Sequence, residues 1–177
     1  GYLLPLASAV PARSRVLALL SVLGLAVHTA WAAPLFIADH TESGPTGEGR
    51  LTVMSVNMEY GRADARDIVR LVREADVDLL SVQELTTDAV PRLRAAGLDR
   101  LLPYEHIVPS PTTPAGSGLW SRYPLSDRHR LEPASFRNLS AVVNVQGHRV
   151  TMLAVHPYPP VGPDGEELWR GDYATLE

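Results

Sequence analysis

Residues 76–85 read Asp-Val-Asp-Leu-Leu-Ser-Val-Gln-Glu-Leu, and this stretch decides how the rest of the sequence is interpreted. The run is short and mostly apolar, as buried strands are, and we predict a strand over Val77–Gln83. Two polar side chains, Gln83 and Glu84, stand at its carboxyl end. Ligand sites of open sheets collect at the carboxyl ends of strands. Glu84 is therefore the first candidate site residue.

The segments on either side of this strand predict a layered domain. Asp64 can cap a helix whose apolar residues follow at 65, 68, 69 and 72, and a second helix is predicted over Thr87–Ala96. Short alternating or apolar runs predict further strands, and the turn at residues 146–148 joins the last two of them: Leu51–Asn57, Tyr104–Val108, Gly118–Ser121, Leu139–Val145 and Val150–His156. Helices between the early strands, followed by hairpins, indicate an α/β (α+β) fold.

Composition excludes several classes of function. The chain of 177 residues has 16 basic and 20 acidic side chains, every basic one is Arg, and there is no Cys. A disulfide scaffold, a Cys-ligated metal site, a catalytic Cys and any Lys-dependent chemistry are therefore excluded. The net charge of −4 argues against a protein that coats nucleic acid by bulk charge.

The N-terminal part predicts a membrane segment. Residues 16–38 carry no Asp, Glu, Lys or Arg, and as a helix they would span roughly 34 Å, enough for a bilayer core of about 30 Å. Arginines at 13 and 15 place residues 11–15 in the cytoplasm and the soluble part outside. A secretory signal cleaved near Ala30-Trp31-Ala32 is the competing interpretation. We favour a permanent transmembrane helix, because residues 1–10 resemble the end of an earlier apolar span. Residues 39–50, rich in Gly and small polar side chains, are predicted to be a linker.

Four features stand at or near the ends of predicted strands. Asn57 closes the first strand, Glu84 follows the second, the segment Gly116–Pro124 surrounds the third, and His156 closes the last. Each alone has an ordinary structural explanation, such as a turn cap or a surface residue. Their order along one chain is much less expected by chance, and we predict that Glu84 and His156 converge with Asn57 nearby.

This order resembles the endonuclease/exonuclease/phosphatase superfamily of DNase I-like proteins. The matching pieces are Ser55-Val56-Asn57-Met58, the run at 76–85, Gly118-Leu119-Trp120-Ser121-Arg122-Tyr123-Pro124 and Val155-His156-Pro157. The resemblance covers residues 51–175 and implies a four-layer α/β/β/α sandwich. Because these motifs belong to its first half, we expect residues 51–177 to be an incomplete domain of this type, preceded by the transmembrane helix.

The resemblance also implies hydrolysis of a phosphoester with Mg²⁺ or Mn²⁺. Glu84 would be the metal ligand, since hard cations prefer carboxylate oxygen. Asn57 would help to position the metal and phosphate as a further ligand and catalytic residue. His156 would bind the scissile phosphate and act in catalysis, by stabilising charge or protonating a leaving oxygen. Arg122 is expected to be a framework residue of its turn.

The second half of the family pattern, a Gly-Asp-x-Asn pair and a terminal Asp-His pair, has no match here. Gly171-Asp172-Tyr173 lacks the Asn and falls in a predicted helix, so we reject it as the missing motif. We expect the chain to be a piece of a longer protein, with little or no turnover from residues 1–177 alone.

The sequence leaves two functions open. One is a membrane-anchored phosphoester hydrolase outside the cytoplasm, acting on a lipid or cell-envelope phosphate; nucleic acid is the alternative substrate, disfavoured by the −3 charge of residues 50–177. The other is a non-catalytic binding module on a membrane stalk.

Overall fold

The structure is a computed structural model that describes residues 15–33 and 50–176. Contacts divide the chain into two units, Gly1–Glu48 and Gly49–Glu177. The first contains helix α1, Arg15–Ala32, which by length and composition could cross a membrane. The predicted span at 16–38 therefore agrees with a helix as far as Ala32. Its last five residues, residues 1–10 and nearly all of the predicted linker lie outside the described residues.

The described part of the second unit contains four helices and seven strands. The helices are α2 (Ala65–Glu74), α3 (Ala89–Ala95), α4 (Leu98–Leu101) and α5 (Gly165–Ala174). The strands are β1 (Val53–Asn57), β2 (Leu79–Gln83), β3 (Tyr104–Val108), β4 (Ser117–Ser121), β5 (Leu125–Arg130), β6 (Leu139–Val145) and β7 (His148–Ala154).

The strands form two sheets. Sheet one has the order β1-β2-β4-β3, in which β1 and β2 run parallel and β4 runs antiparallel to both of its neighbours. Sheet two is the antiparallel meander β5-β6-β7. A parallel β1–β2 pair requires a crossover, and α2 provides it. Asp64 caps this helix as predicted, with its carboxylate accepting from the backbone N–H of Arg66.

The alternation of side chains along β2 and β4 builds a core on each face of sheet one. Leu80 and Trp120 pack with the apolar faces of α2, α3 and α4. Leu79 and Leu119 point the other way and pack with sheet two. All five residues of β2 are buried, as expected of a strand covered on both faces. The described domain is thus a helix, sheet and sheet arrangement, which agrees with the predicted α/β (α+β) sandwich.

Sheet two differs from the prediction at β5 and at both ends of β7, which runs over His148–Ala154 and not over Val150–His156, so that His156 lies beyond the strand that it was predicted to close. Strand β5 was not predicted, because Ser126–Arg130 are polar and exposed; pairing with β6, interrupted by a bulge, holds them in the sheet. His148 was predicted in the turn, but the turn consists of Gln146 and Gly147, which have φ of 51° and 88°. His148 is therefore the first residue of β7.

Candidate active site

Two of the predicted site residues meet because β1 and β2 run in the same direction. Asn57 is the last residue of β1 and pairs in register with Gln83, the last residue of β2, so that Glu84 follows at the same edge. Asn57 Nδ2 donates to Glu84 Oε1 at 2.9 Å, and Asn57 Oδ1 accepts from the backbone N–H of Glu59 at 2.7 Å. These two bonds fix the orientation of the Asn57 amide and, through it, one oxygen of the carboxylate.

The second oxygen of Glu84 is held by the loop after β1. Glu84 Oε2 accepts from the backbone N–H of Tyr60 at 2.7 Å. Glu59, Tyr60, Gly61 and Glu84 all have left-handed backbone, with φ of 49°, 58°, 72° and 54°. Left-handed backbone is uncommon outside glycine and is concentrated at functional sites. Both loops are therefore shaped around the carboxylate.

A polar network ties β1 to β2 directly below this edge. Gln83 Nε2 donates to Ser81 Oγ at 2.8 Å and to Ser55 Oγ at 3.1 Å. Gln83 is buried, and its amide is satisfied by these two neighbours. Buried polar groups that are fully paired make a region rigid. We infer that the network supports the edge on which Asn57 and Glu84 lie.

His156 approaches the same carboxylate from sheet two. It lies two residues beyond the end of β7, and its Nε2 is 3.8 Å from Glu84 Oε1. The ring packs edge-on against Phe136, with 5.0 Å between ring centroids. Burial lowers the pKa of His156 below its ordinary value, while attraction to Glu84 opposes that shift. Burial thus favours the uncharged form of the ring.

The turn around Arg122 does not join this group. Because β4 runs antiparallel to β2, Ser117 pairs with Gln83 near the site, whereas Ser121 pairs with Leu79 at the far end of sheet one. Only the start of the segment Gly116–Pro124 lies at the site edge, and Arg122 lies at the opposite edge. The carboxyl end of an antiparallel strand lies at the edge of the sheet opposite to the carboxyl ends of its neighbours.

Arg122 stabilises the opposite edge of the sheet. Its guanidinium donates to Asp76 Oδ1 at 2.6 Å and to the carbonyl oxygen of Val77 at 3.1 Å, and its Nε is 3.3 Å from Asp78 Oδ1. The hydrogen bond to Asp76 raises the pKa of Arg122, while burial opposes the rise. These contacts are those of a framework residue.

The donor set suits a cation that keeps most of its water. Within residues 15–33 and 50–176, no group of three or more His, Asp or Glu side chains is arranged to hold a metal ion. Glu84 offers one carboxylate, and each of its oxygens accepts a single hydrogen bond, which leaves lone pairs available. Mg²⁺ commonly takes one or two protein carboxylates and retains several waters. The residues therefore fit Mg²⁺ or Mn²⁺ and do not fit a closed structural site.

Two residues of this region have roles that the sequence did not predict. Asn138 Oδ1 accepts from the backbone N–H of His156 at 2.8 Å. Asp172, buried on α5, accepts from the backbone N–H groups of Ser135 and Tyr158 at 2.6 Å and 2.7 Å. Asp172 thus holds the backbone next to Phe136, which packs on His156, and the backbone just after His156. This role differs from that of the Gly-Asp-x-Asn motif, for which Gly171-Asp172-Tyr173 was rejected. Neither residue lies in a pattern that would have indicated these contacts.

An arginine-lined groove lies beside the Tyr60 loop. Its volume is about 420 Å³, and Arg62, Arg66 and Arg92 line it together with Asp64 and three alanines. Arg92 donates to the carbonyl oxygen of Gly61, which connects the groove to the loop that holds Glu84. The lining has an excess of positive charge.

Comparison with known proteins identifies the fold. A profile described as the "Endonuclease/Exonuclease/phosphatase family" matches residues 54–177, a span that contains Asn57, Glu84 and His156. The chain belongs to this family. The family is one of hydrolases, and its members typically use divalent metals. No curated protein matches the chain in sequence.

Solved structures agree with this family assignment at the level of the fold. A hairpin-deletion mutant of beta toxin from Staphylococcus aureus has a TM-score of 0.54 and 16% identity, covering 72% of this chain and 58% of the toxin. Sphingomyelinase C from Streptomyces griseocarneus has a TM-score of 0.51 and 20% identity, with coverages of 70% and 53%. A family protein from Leptotrichia buccalis has a TM-score of 0.51 and 14% identity, with coverages of 63% and 55%. The chain therefore spans little more than half the length of these proteins.

Proposed function

We propose that this chain supplies the metal-binding and histidine-bearing part of a membrane-anchored phosphoester hydrolase that acts outside the cytoplasm. The observation that carries the proposal is that Asn57, from sheet one, and His156, from the end of sheet two, both approach the carboxylate of Glu84. A candidate membrane helix at Arg15–Ala32 and family membership support the remaining parts.

Each residue has a distinct task in this proposal. Glu84 would hold the cation with a carboxylate oriented by the Asn57 amide and the Tyr60 N–H. Asn57 could add its amide oxygen as a second ligand without adding negative charge. A divalent cation bound there polarises a phosphoryl oxygen as a Lewis acid.

The ring of His156 would act on the substrate. Its Nε2 faces the same space as Glu84, at a separation of 3.8 Å that is too long for a direct hydrogen bond. An N–H at this nitrogen can donate a hydrogen bond to a phosphoryl oxygen as negative charge develops, whereas protonation of the leaving oxygen would require the ring to carry a second proton first.

The preferred substrate is a phosphoester in a lipid or in the cell envelope. A membrane tether would keep the site near lipid headgroups and raise the effective concentration of such a substrate. The groove lined by Arg62, Arg66 and Arg92 gives a second place for an anionic group close to the site. The negative charge of the soluble part disfavours strong non-specific binding to nucleic acid.

Metal binding provides a test that does not depend on turnover. The complete chain, reconstituted in lipid nanodiscs, is titrated with Mn²⁺ and followed by electron paramagnetic resonance. Glu84→Gln should weaken Mn²⁺ binding by about 100-fold or more, because a charged ligand is lost. Glu167→Gln, the same change at an exposed position on α5, serves as the matched control and should leave affinity unchanged. Equal affinity of the Glu84 variant and the control would refute the metal site.

Substrate class is tested on the longest natural protein that contains this chain. Phosphate release from a lipid phosphate in vesicles is compared with cleavage of plasmid DNA, each with and without Mg²⁺. Lipid turnover that is lost in Glu84→Gln supports the proposal, and DNA cleavage with no lipid turnover would replace the substrate by nucleic acid. Tight Mn²⁺ binding without hydrolysis of any phosphoester would favour the non-catalytic binding module.

A further inference from the structure

Asn138 occupies a fixed position between the loop after β5 and the start of β6. Its side chain is fully buried. Its backbone N–H donates to the carbonyl oxygen of Phe136 at 3.0 Å, and its own carbonyl oxygen accepts from the backbone N–H of Leu131 at 2.9 Å. Both main-chain groups are thus engaged, and the direction of the side chain is set by the turn.

The orientation of the Asn138 amide follows from its partner. The backbone N–H of His156 is a donor, so the atom that accepts from it at 2.8 Å must be Oδ1, and the NH₂ group occupies the other position. Asn138 Nδ2 and His156 Nδ1 are both buried and make no hydrogen bond within the described residues. Nδ2 belongs to the same amide whose oxygen accepts from the His156 backbone, and Nδ1 belongs to the ring of His156.

Each of these two buried atoms destabilises the fold while it lacks a hydrogen-bond partner, and each could serve as the partner of the other. A buried donor or acceptor without a partner destabilises a protein by about 1–3 kcal/mol. The NH₂ group of Asn can only donate, whereas a ring nitrogen of neutral His either donates or accepts. The pair is complementary only when His156 Nδ1 accepts. A hydrogen bond from Asn138 Nδ2 to His156 Nδ1, direct or through one water molecule, would satisfy both atoms.

We propose that Asn138 is the positioning residue of His156: its Oδ1 anchors the His156 backbone, and its NH₂ group keeps Nδ1 an acceptor, so that the ring proton stays on Nε2. This inference rests on the proposed function, because Nε2 is the nitrogen that faces Glu84. With the proton on Nδ1, Nε2 would present a lone pair to a carboxylate and to an anionic substrate, which is unfavourable. Asn138 touches no substrate and acts through His156.

Phe136 supports the same arrangement from the side. Its ring lies edge-on to His156 and, at 5.5 Å between centroids, to Tyr158. Aromatic packing of this kind restricts rotation of the imidazole about its side-chain bonds. The ring plane of His156 is therefore set by Phe136, and its proton by Asn138.

The position of the proton is measured by nitrogen NMR of the complete chain labelled with ¹⁵N-histidine. The chain has six His, and the signals of His156 are assigned from their loss in His156→Gln. At a pH above about 8, well over the ordinary histidine pKa of about 6.5, we expect Nδ1 to give the shift of an unprotonated nitrogen and Nε2 that of an N–H. A wild-type spectrum with the proton on Nδ1 would overturn the proposal without any variant.

A pair of matched variants separates this role from a general effect on folding. Asn138→Asp keeps an oxygen for the backbone N–H of His156 but replaces the donor by an acceptor, so the proton should move to Nδ1. Asn144→Asp makes the same change in β6, where the side chain caps the turn through the N–H of Gly147, and should leave His156 unchanged. An unaltered proton position in a folded Asn138→Asp protein would contradict the inference.

Activity distinguishes this inference from the function on which it rests. In a catalytically active parent protein, Asn138→Asp should lower kcat while leaving KM for substrate within about twofold, because binding through the cation is retained. If Glu84→Gln does not change Mn²⁺ affinity but the NMR result is as expected, the proposed function fails and the role of Asn138 stands. If Mn²⁺ affinity falls but the proton is on Nδ1, the reverse holds.

Discussion

Asp172 provides the most direct test of how the loops around His156 are held. It is 1% exposed, and its two oxygens accept from the backbone N–H groups of Ser135 and Tyr158. Asp172→Ala removes both bonds at once. Hydrogen bonds to a charged acceptor contribute about 1.5–3 kcal/mol each, so the loss should be about 3–6 kcal/mol. We expect the lower half of this range, since Ser135 is exposed and its N–H can be hydrated.

The more conservative Asp172→Asn should cost about half as much. An amide can still accept one hydrogen bond, but its NH₂ group would face the second donor. A loss of this size is a large share of the total stability of a domain, which is about 5–15 kcal/mol. Both variants should also loosen His156, since Tyr158 lies only two residues beyond it.

Chemical denaturation followed by tryptophan fluorescence measures these losses. Trp120 is buried in the core of the second unit and reports its unfolding. The midpoint should fall for both variants of Asp172 while the slope stays constant. Asp164→Asn is the matched control: it lies at the start of the same helix, is exposed and makes no capping bond, so its effect should stay within about 0.5 kcal/mol. If the free energy of unfolding of Asp172→Ala is within about 1 kcal/mol of the wild-type value, the carboxylate does not hold these loops.

Three further predictions use the same denaturation assay. Gly61→Ala should cost about 2–4 kcal/mol, because its φ is positive and a Cβ would lie 2.0 Å from Thr86 Oγ1; Gly147→Ala, with positive φ but no atom within 4 Å, should cost only about 1 kcal/mol. Because the pKa of His156 is lowered on folding, the unfolded chain binds more protons, and the free energy of unfolding in EDTA should fall as pH drops below about 6.5. The dependence of this free energy on pH should be weaker in His156→Gln. An equal dependence would show that another group causes it. Arg122→Ala should cost about 1–2 kcal/mol, as its side chain is 41% exposed, and leave Mn²⁺ affinity unchanged; a change in affinity would place it functionally at the site.

Local patterns were sufficient to predict most elements of the second unit. The buried run before Gln83 became β2, and the cap and apolar spacing of the first helix became α2 over Ala65–Glu74. These features depend on residues close together in the sequence. Strand β5 escaped prediction because its residues are polar and its pairing with β6 is what keeps them in a strand.

Strand direction could not be predicted from the same patterns. An apolar run of five residues is equally compatible with a parallel and an antiparallel neighbour, and the difference decides which edge of the sheet a residue reaches. In the structure β1 and β2 run parallel, which brings Asn57 and Glu84 to one edge, whereas β4 runs antiparallel to β2, which leaves Arg122 at the opposite edge. The supporting contacts of Asn138 and Asp172 are made to backbone N–H groups, which every residue except proline carries, so no side-chain pattern indicates them.

The left-handed backbone at Glu59, Tyr60 and Glu84 has a consequence for ligand affinity. Each such non-glycine position costs about 1 kcal/mol or more, and this cost is met when the chain folds. The carboxylate and the two loops are therefore preorganised before a ligand binds, and binding does not include the free-energy cost of bending them. Glycine at position 59 or 60 should stabilise the fold yet weaken cation binding, so stability and affinity are opposed at this edge of the sheet.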